Sequence, residues 1–260
     1  MIDTLRDAMR HKIRIAVMFS GGLDSALLAG IAHDSLGEDA LALTIDSPIV
    51  PRADIEDAVR VGAQIGIRHE VIALSELDDR EFTVNSPQRC YICRKLRDRA
   101  VWEIARRRGI DTIADGMNLD DLADYRPGRK ASDEDGIWHP FIECGLTKED
   151  LRALAKDLGL SLWDKPSEAC FCSRIAYGMK IERELLSRIE KAEAFLKTIC
   201  PGPIRVRCFP HDVAMIETAN PDAAVKERAK IVPFFRKVGF AFIGLDLEGF
   251  SSGKMNRILS

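Results

Sequence analysis

No run of about 18 or more apolar residues, the length that crosses a bilayer, occurs in this 260-residue chain. Met1 to Arg10 also lacks the apolar core of a secretory leader, and the two absences together predict a cytoplasmic protein. A basic excess is missing as well: 38 Lys and Arg stand against 41 Asp and Glu, for a formal net charge of −3. Proteins that track a phosphate backbone present a strong basic excess, so this balance argues against nucleic acid as the main partner. There is no internal repeat, and no low-complexity stretch beyond a polar loop expected at Ala131 to Gly136. The cysteines number seven, an odd count for a disulfide framework, and so predict reduced thiols that serve metal or chemistry. Neither a three-glycine dinucleotide fingerprint nor a loop ending in Gly-Lys-Ser/Thr is found.

What is present instead is Ser20-Gly21-Gly22-Leu23-Asp24-Ser25, set between an apolar strand and an apolar helix. Two glycines and two hydroxyls at such a junction let backbone N–H groups approach an anion at a helix N-terminus, which already carries partial positive charge. Asp24 adds a requirement, because a carboxylate repels phosphate unless a divalent cation lies between them; Mg²⁺ follows. The loop predicts phosphate binding, with Ser20, Gly21, Gly22, Asp24 and Ser25 as nucleotide ligands.

Around this loop, apolar and amphipathic segments alternate as in a parallel sheet with crossover helices. Strands are expected at Ile13 to Phe19, Ala40 to Ile45, His69 to Ala73 and Thr112 to Asp115, and helices at Asp24 to Ser35, Arg52 to Ile65, Arg89 to Arg108 and Thr147 to Leu158. The last opens on a capping-box variant, Thr147 with Asp150. This is a doubly wound α/β domain, residues 1–164, whose ligand sits at the carboxyl ends of the strands, near Thr44 to Ser47 and Asp115 to Asn118. A small α+β domain of antiparallel character, 165–260, follows. It has a helix at Ile181 to Thr198, strands at Ile204 to Cys208, Val213 to Glu217 and Phe240 to Leu247, and a helix from Pro221 to Val238.

Three constellations carry chemistry. After the fourth strand, Asp115-Gly116 and an acidic run reaching Asp124 offer oxygens for Mg²⁺, with Arg126 for phosphate; Asp24 and Asp124 are the candidate metal ligands. Cys90-Tyr-Ile-Cys93 opens a helix and reads as a redox pair, half a zinc site or, joined by Cys170 or Cys172, a three-thiolate site that suits an iron–sulfur cluster or zinc with a fourth ligand. Arg205 and Arg207 lie two apart on a strand and share a face. Their like charges call for a phosphate or carboxylate between them, or for pairing with Glu193 or Glu217.

Taken together these segments resemble one branch of the pyrophosphate-loop (PP-loop) ATP pyrophosphatases, the LarE family of sulfur transferases. The matching strings are Ser20 to Ser25, Arg89 to Lys95, Asp115 to Met117, Asp124 to Gly128, Lys165 to Ser167, Ala169-Cys170, Ser173-Arg174, Tyr177-Gly178, Arg205-Val-Arg207, and the tail around Leu245 to Phe250 and Ser252 to Asn256. The resemblance implies an enzyme that uses ATP to adenylate a carboxylate of pyridinium-3,5-biscarboxylic acid mononucleotide and replaces its oxygen with sulfur, toward the nickel-pincer nucleotide cofactor. It further implies a 4Fe-4S cluster on Cys90, Cys93 and Cys170, since the single-donor members carry their cysteine where this chain has Ala169. Arg174, Arg205 and Arg207 fall at the arginines for the substrate phosphate, and Cys170, Glu193 and Glu217 at the transfer site. Cys172 is an addition to the pattern and competes with Cys170. A separate sulfide source and a homo-oligomer are implied too. Two other readings stay open: a PP-loop enzyme of another kind (a tRNA thiolase or an amide-forming ligase), or a nucleotide-binding iron–sulfur sensor without turnover.

Overall fold

The structure is a computed structural model that describes residues 2–122, 127–159, 169–251 and 253–259. It divides into two compact units, one of residues 1–75 and 90–168, the other of 76–89 and 169–260. The boundary expected at Lys165 lies outside the described residues.

In chain order the elements are α1 (Ile2–Arg10), β1 (Ile15–Met18), α2 (Leu23–Leu36), β2 (Ala40–Asp46), α3 (Arg52–Ile65), β3 (Arg68–Ala73), α4 (Arg80–Thr83), α5 (Arg89–Arg107), β4 (Ile113–Ala114), α6 (Pro127–Glu134), α7 (Pro140–Glu143), α8 (Lys148–Asp157), α9 (Arg183–Lys197), β5 (Ile204–Phe209), β6 (Val213–Thr218), α10 (Pro221–Lys226), α11 (Arg228–Lys237) and β7 (Phe242–Leu245).

The first unit is built on a sheet of order β3-β2-β1-β4 with every pair parallel. Side chains alternate across a strand, and here the alternation feeds two cores. Ile15 and Val17 of β1, with Ala40 and Ala42 of β2, join Leu27 and Ile31 of α2, Ala58 of α3 and Leu151 of α8 on one face. Ala16, Leu41 and Leu43 meet Val101 and Ala105 of α5 on the other. Two covered faces explain why β1 and β2 read as unbroken apolar runs, and they establish the doubly wound sheet. Strand order reverses between β1 and β4, so a crevice opens beyond their carboxyl ends.

One local expectation is overturned in this unit. The supposed polar loop Ala131 to Gly136 lies mostly within α6. Pro127 supplies a preset φ at its first position, and Arg129–Asp133 and Lys130–Glu134 are ion pairs one turn apart that favour a helix despite the polar composition.

The second unit pairs β5 with β6 antiparallel and β6 with β7 parallel. The antiparallel expectation therefore holds for one pair and fails for the other. A parallel pair needs a crossover, and α10 and α11 stand between β6 and β7 in the chain. The single helix expected from Pro221 to Val238 is two helices that meet at Glu227, the second with Pro233 inside it. On α9, Leu186, Ile189, Ala192 and Leu196 are buried at helical spacing. The segment Glu76–Arg89 joins this unit through Asn85, whose side-chain amide donates to the carbonyls of Ala176 and Met179 at 2.9 and 3.0 Å.

Candidate active site

The loop Ser20–Ser25 leaves β1 and enters α2 at the strand-order reversal. Gly21 has φ +70°, and a Cβ there would lie 2.6 Å from Ala58 Cα, so only glycine fits against α3. Gly22 caps α2 with no side-chain hydrogen bond, which leaves the N-terminal amides to a ligand. Ser25 donates its hydroxyl to the Gly22 carbonyl at 3.1 Å and accepts the Ser20 N–H at 3.2 Å; the two hydroxyl oxygens are 3.1 Å apart. These bonds hold the loop's shape through the Ser20 and Ser25 hydroxyls. Gly116 comes from the β4 side, and a Cβ on it would lie 2.9 Å from the Asp24 carbonyl carbon and 3.0 Å from Ser25 N. A backbone approach that close brings the two loops together.

Asp24, in the first turn of α2, has two partners. Lys148 Nζ is ion-paired with Oδ1, and Asn118 Nδ2 donates to Oδ2 at 3.4 Å. Lys148 is rooted firmly: its N–H donates to Asp120 Oδ2 at 2.9 Å, and the capping box of Thr147 and Asp150 is formed in full. Thr44 is buried, donating to the Phe19 carbonyl at 2.6 Å and lying 2.8 Å from His69 Nε2. Burial lowers the pKa of His69, and Thr44 ties the segment just after β1 to His69 of β3.

Behind Gly116 lies a buried charge network. Arg94 donates to Asp98 Oδ1 and Asp115 Oδ2, both at 2.7 Å. His139 Nδ1 is 2.6 Å from Asp115 Oδ1, and the Met117 N–H reaches the same oxygen at 3.2 Å. For Asp115, burial opposes ionisation, but the His139 hydrogen bond and the Arg94 charge outweigh it and hold its carboxyl below the usual range. His139 is the mirror case: burial disfavours its charge, and the Asp115 bond raises its pKa nonetheless. Asp98 is different, since burial dominates there and pushes its carboxyl up to about 6 despite Arg94. The network fixes the Asp115–Met117 turn from below.

In the second unit Arg174 and Arg207 sit in closed pairs. Arg174, with no exposed surface, forks onto Glu193 at 3.0 and 3.1 Å and also donates to the Cys170 carbonyl at 3.0 Å. Arg207 forks onto Glu217 at 2.9 and 2.8 Å and donates to the Ser173 carbonyl at 2.8 Å. Glu193 accepts the Val206 N–H at 2.9 Å, tying α9 to β5. Arg205 is buried, with its guanidinium 5.2 Å from the Phe250 ring centroid. Arg89 is buried too; it donates to the Cys172 carbonyl at 2.9 Å and lies over Tyr177.

Cys90 is exposed, Cys93 and Cys170 are half-buried, and Cys172, Cys200 and Cys208 are buried. Burial pushes the Cys208 thiol up to about 12 and raises Cys144 and Cys200, which suits packed thiols rather than ligands. Among the described residues no group of three or more His, Cys, Asp or Glu side chains is arranged to hold a metal ion. The donor types nonetheless fit the groups expected. Soft thiolates with access to solvent suit an iron–sulfur cluster, and a carboxylate beside an uncapped, glycine-lined helix end suits Mg²⁺ with phosphate. Asp124 and Arg126 lie outside the described residues, as do Lys165 to Ser167 and Ser252. Lys148 and the Arg94–Asp115 contact are not legible in the sequence, because the partners are far apart in the chain. A lysine just after the Thr147 cap was the nearest signal.

A family model described as asparagine synthase matches residues 1–85, the stretch that contains the loop. A Synechocystis protein described only as uncharacterized is 36% identical over 100% of this chain and 98% of its own length. The pyridinium-3,5-bisthiocarboxylic acid mononucleotide synthase of Lactiplantibacillus plantarum is 32% identical over 99% of this chain and 94% of its own. A tRNA-specific 2-thiouridylase of Agrobacterium fabrum is 30% identical over 64% of this chain and 52% of its own length. No helix among the described residues is long and apolar enough to cross a membrane.

Proposed function

Because the chain belongs to the LarE family of ATP-dependent PP-loop sulfur transferases, we propose that it adenylates a carboxylate of pyridinium-3,5-biscarboxylic acid mononucleotide and exchanges an oxygen of that group for sulfur, in nickel-pincer nucleotide biosynthesis. A carboxylate resists nucleophiles because it is anionic and its oxygen leaves badly; an acyl adenylate answers both problems. The observation that carries this reading is the Ser20–Ser25 loop, whose uncapped helix end and absent Cβ atoms leave backbone amides for the pyrophosphate that departs as substrate oxygen attacks the α phosphorus.

In this reading Asp24 and Asp124 hold Mg²⁺, which would neutralise charge between carboxylate and phosphate. Thr44, Gly116 and Arg126 complete the nucleotide site. Cys90, Cys93 and Cys170 hold a 4Fe-4S cluster, which would supply a sulfide to the activated carbonyl. The contrast between half-buried Cys170 and buried Cys172 supports Cys170 as third ligand. Arg174, Arg205 and Arg207 bind the substrate's own phosphate, with Glu193 and Glu217 setting the planes of two guanidinium groups; holding the substrate by a group that does not react lets its carboxylate meet both steps in turn. A homo-oligomer belongs to the same reading, and light scattering in solution tests it.

The decisive experiment is anaerobic purification with iron and acid-labile sulfide analysis, followed by substrate-dependent exchange of pyrophosphate into ATP. Iron with sulfide and substrate-dependent exchange are expected; zinc without sulfide overturns the cluster. Cys170→Ala retains the exchange and loses thiolation, and full thiolation by that variant overturns the role of Cys170. The thiouridylase likeness supports a second reading with tRNA as acceptor. Thiolation of tRNA but not of the mononucleotide would establish it, against the acidic charge of this chain.

A further inference from the structure

Asp24 is asked to receive a divalent cation, yet in this structure its carboxylate already has a cation. Lys148 Nζ is paired with Oδ1 while Asn118 Nδ2 lies 3.4 Å from Oδ2. An ammonium and a metal dication on one carboxylate repel each other, so each weakens the hold of the other. From this, and resting on the reading of Asp24 as metal ligand, we propose that Lys148 is an exchangeable counter-ion: it occupies Asp24 until metal and ATP arrive together, then moves its charge to the phosphates.

Three features support the exchange. First, the root of Lys148 is fixed while its tip is not. The backbone N–H is held by Asp120 at 2.9 Å and the capping box secures the helix start, whereas the four-carbon stem ends in a compact, rotatable point charge. Second, both partners are only partly buried, at 27% and 24% exposure, so the pair can part without stranding a charge in an apolar interior. Third, Asp24 occupies the first turn of an uncapped helix beside the loop, so an ammonium that lets go of it is already next to the place where the phosphates bind. With Lys148 in place, metal alone must displace it with no gain for the released ammonium. With nucleotide present, that ammonium finds a polyanion. Lys148 therefore discriminates against metal without ATP.

The test uses the full chain and reads binding, not turnover. Mn²⁺ alone is titrated against wild type and Lys148→Met by electron paramagnetic resonance, and Mg²⁺ with α,β-methylene ATP by calorimetry. Expected are Mn²⁺ binding about tenfold tighter and nucleotide binding about tenfold weaker in the variant, each about 1.4 kcal/mol. Unchanged Mn²⁺ affinity overturns the proposal, and so does tighter Mn²⁺ binding with nucleotide affinity intact. Asp24→Asn added to Lys148→Met should erase the gain in Mn²⁺ affinity; a gain that persists places the metal elsewhere and also overturns it. Lys148→Arg keeps a cation and should exclude Mn²⁺ as wild type does, which guards against an effect of altered folding. Wild type that binds no nucleotide would instead defeat the reading of the loop, and this inference with it.

Discussion

Asp24 and Glu193 are both carboxylates facing a basic side chain, yet they belong to opposite designs. Asp24 meets a flexible lysine at a partly exposed helix end, with amides beside it that no side chain caps. Glu193 meets Arg174 in a two-pronged pair that is buried completely and also accepts a backbone N–H of β5. At Asp24, charge is held loosely, at the helix end proposed to receive nucleotide. At Glu193 and Glu217, charge is locked by several bonds at once, so Arg174 and Arg207 organise the fold before they can serve a substrate. The difference teaches that a basic residue read as a ligand for phosphate has to be judged by what already satisfies it.

Breaking a locked pair should have the largest effect. Arg207→Met leaves Glu217 buried and uncompensated and is expected to destabilise by about 3–5 kcal/mol, with much of the loss recovered in Arg207→Met/Glu217→Leu; urea denaturation read by hydrogen exchange in the second unit measures both. The open site has its own weak point. Gly21→Ala forces a side chain into a positive φ and against Ala58, for an expected cost of about 2–3 kcal/mol together with loss of nucleotide binding by calorimetry.

A third test concerns Asp98, the one carboxylate of the Arg94 network that is pushed up to about 6. With its native pKa above the unfolded value, the native state keeps its proton longer, so wild type loses stability as pH rises from about 4 to 6. Asp98→Asn lacks that loss and should gain on wild type by about 2–3 kcal/mol across this window, then run parallel above it. Asp115 has the opposite sign, being held low, and contributes stability that fades as pH falls through its native pKa. Denaturation at stepped pH separates the two. The smallest effect expected is Thr147→Ala, about 1 kcal/mol from a lost cap, visible as faster exchange in the first turn of α8.

Much of the first unit was legible because its information is local. Arg52–Ile65 has the bounds expected from periodicity, and the Thr147–Asp150 box is formed as expected. The glycine loop announced itself through residue types that other functions do not need. What escaped was long-range pairing. Lys148 meets Asp24 across 124 positions, and Arg94 meets Asp115 across 21; no helical or strand period encodes either. Pairing with Glu193 or Glu217 is legible as one option for Arg205 and Arg207, but the burial of Arg207 and Glu217 is not. In α6, ion pairs one turn apart outweighed a composition that suggested a loop.

Asn85 has a consequence for how this protein is made. It carries φ +59°, is fully buried, and bonds residues about 90 positions downstream. A ribosome adding about 5–20 residues per second exposes Asn85 some 5–18 s before Ala176 and Met179 exist to receive it. Through that interval residues 76–89 have only one another from their own unit, while β1, β2 and β3 are already available to pair. Synthesis thus begins the second unit, returns to the first for residues 90–168, and completes the second only once residues 169 onward have been made.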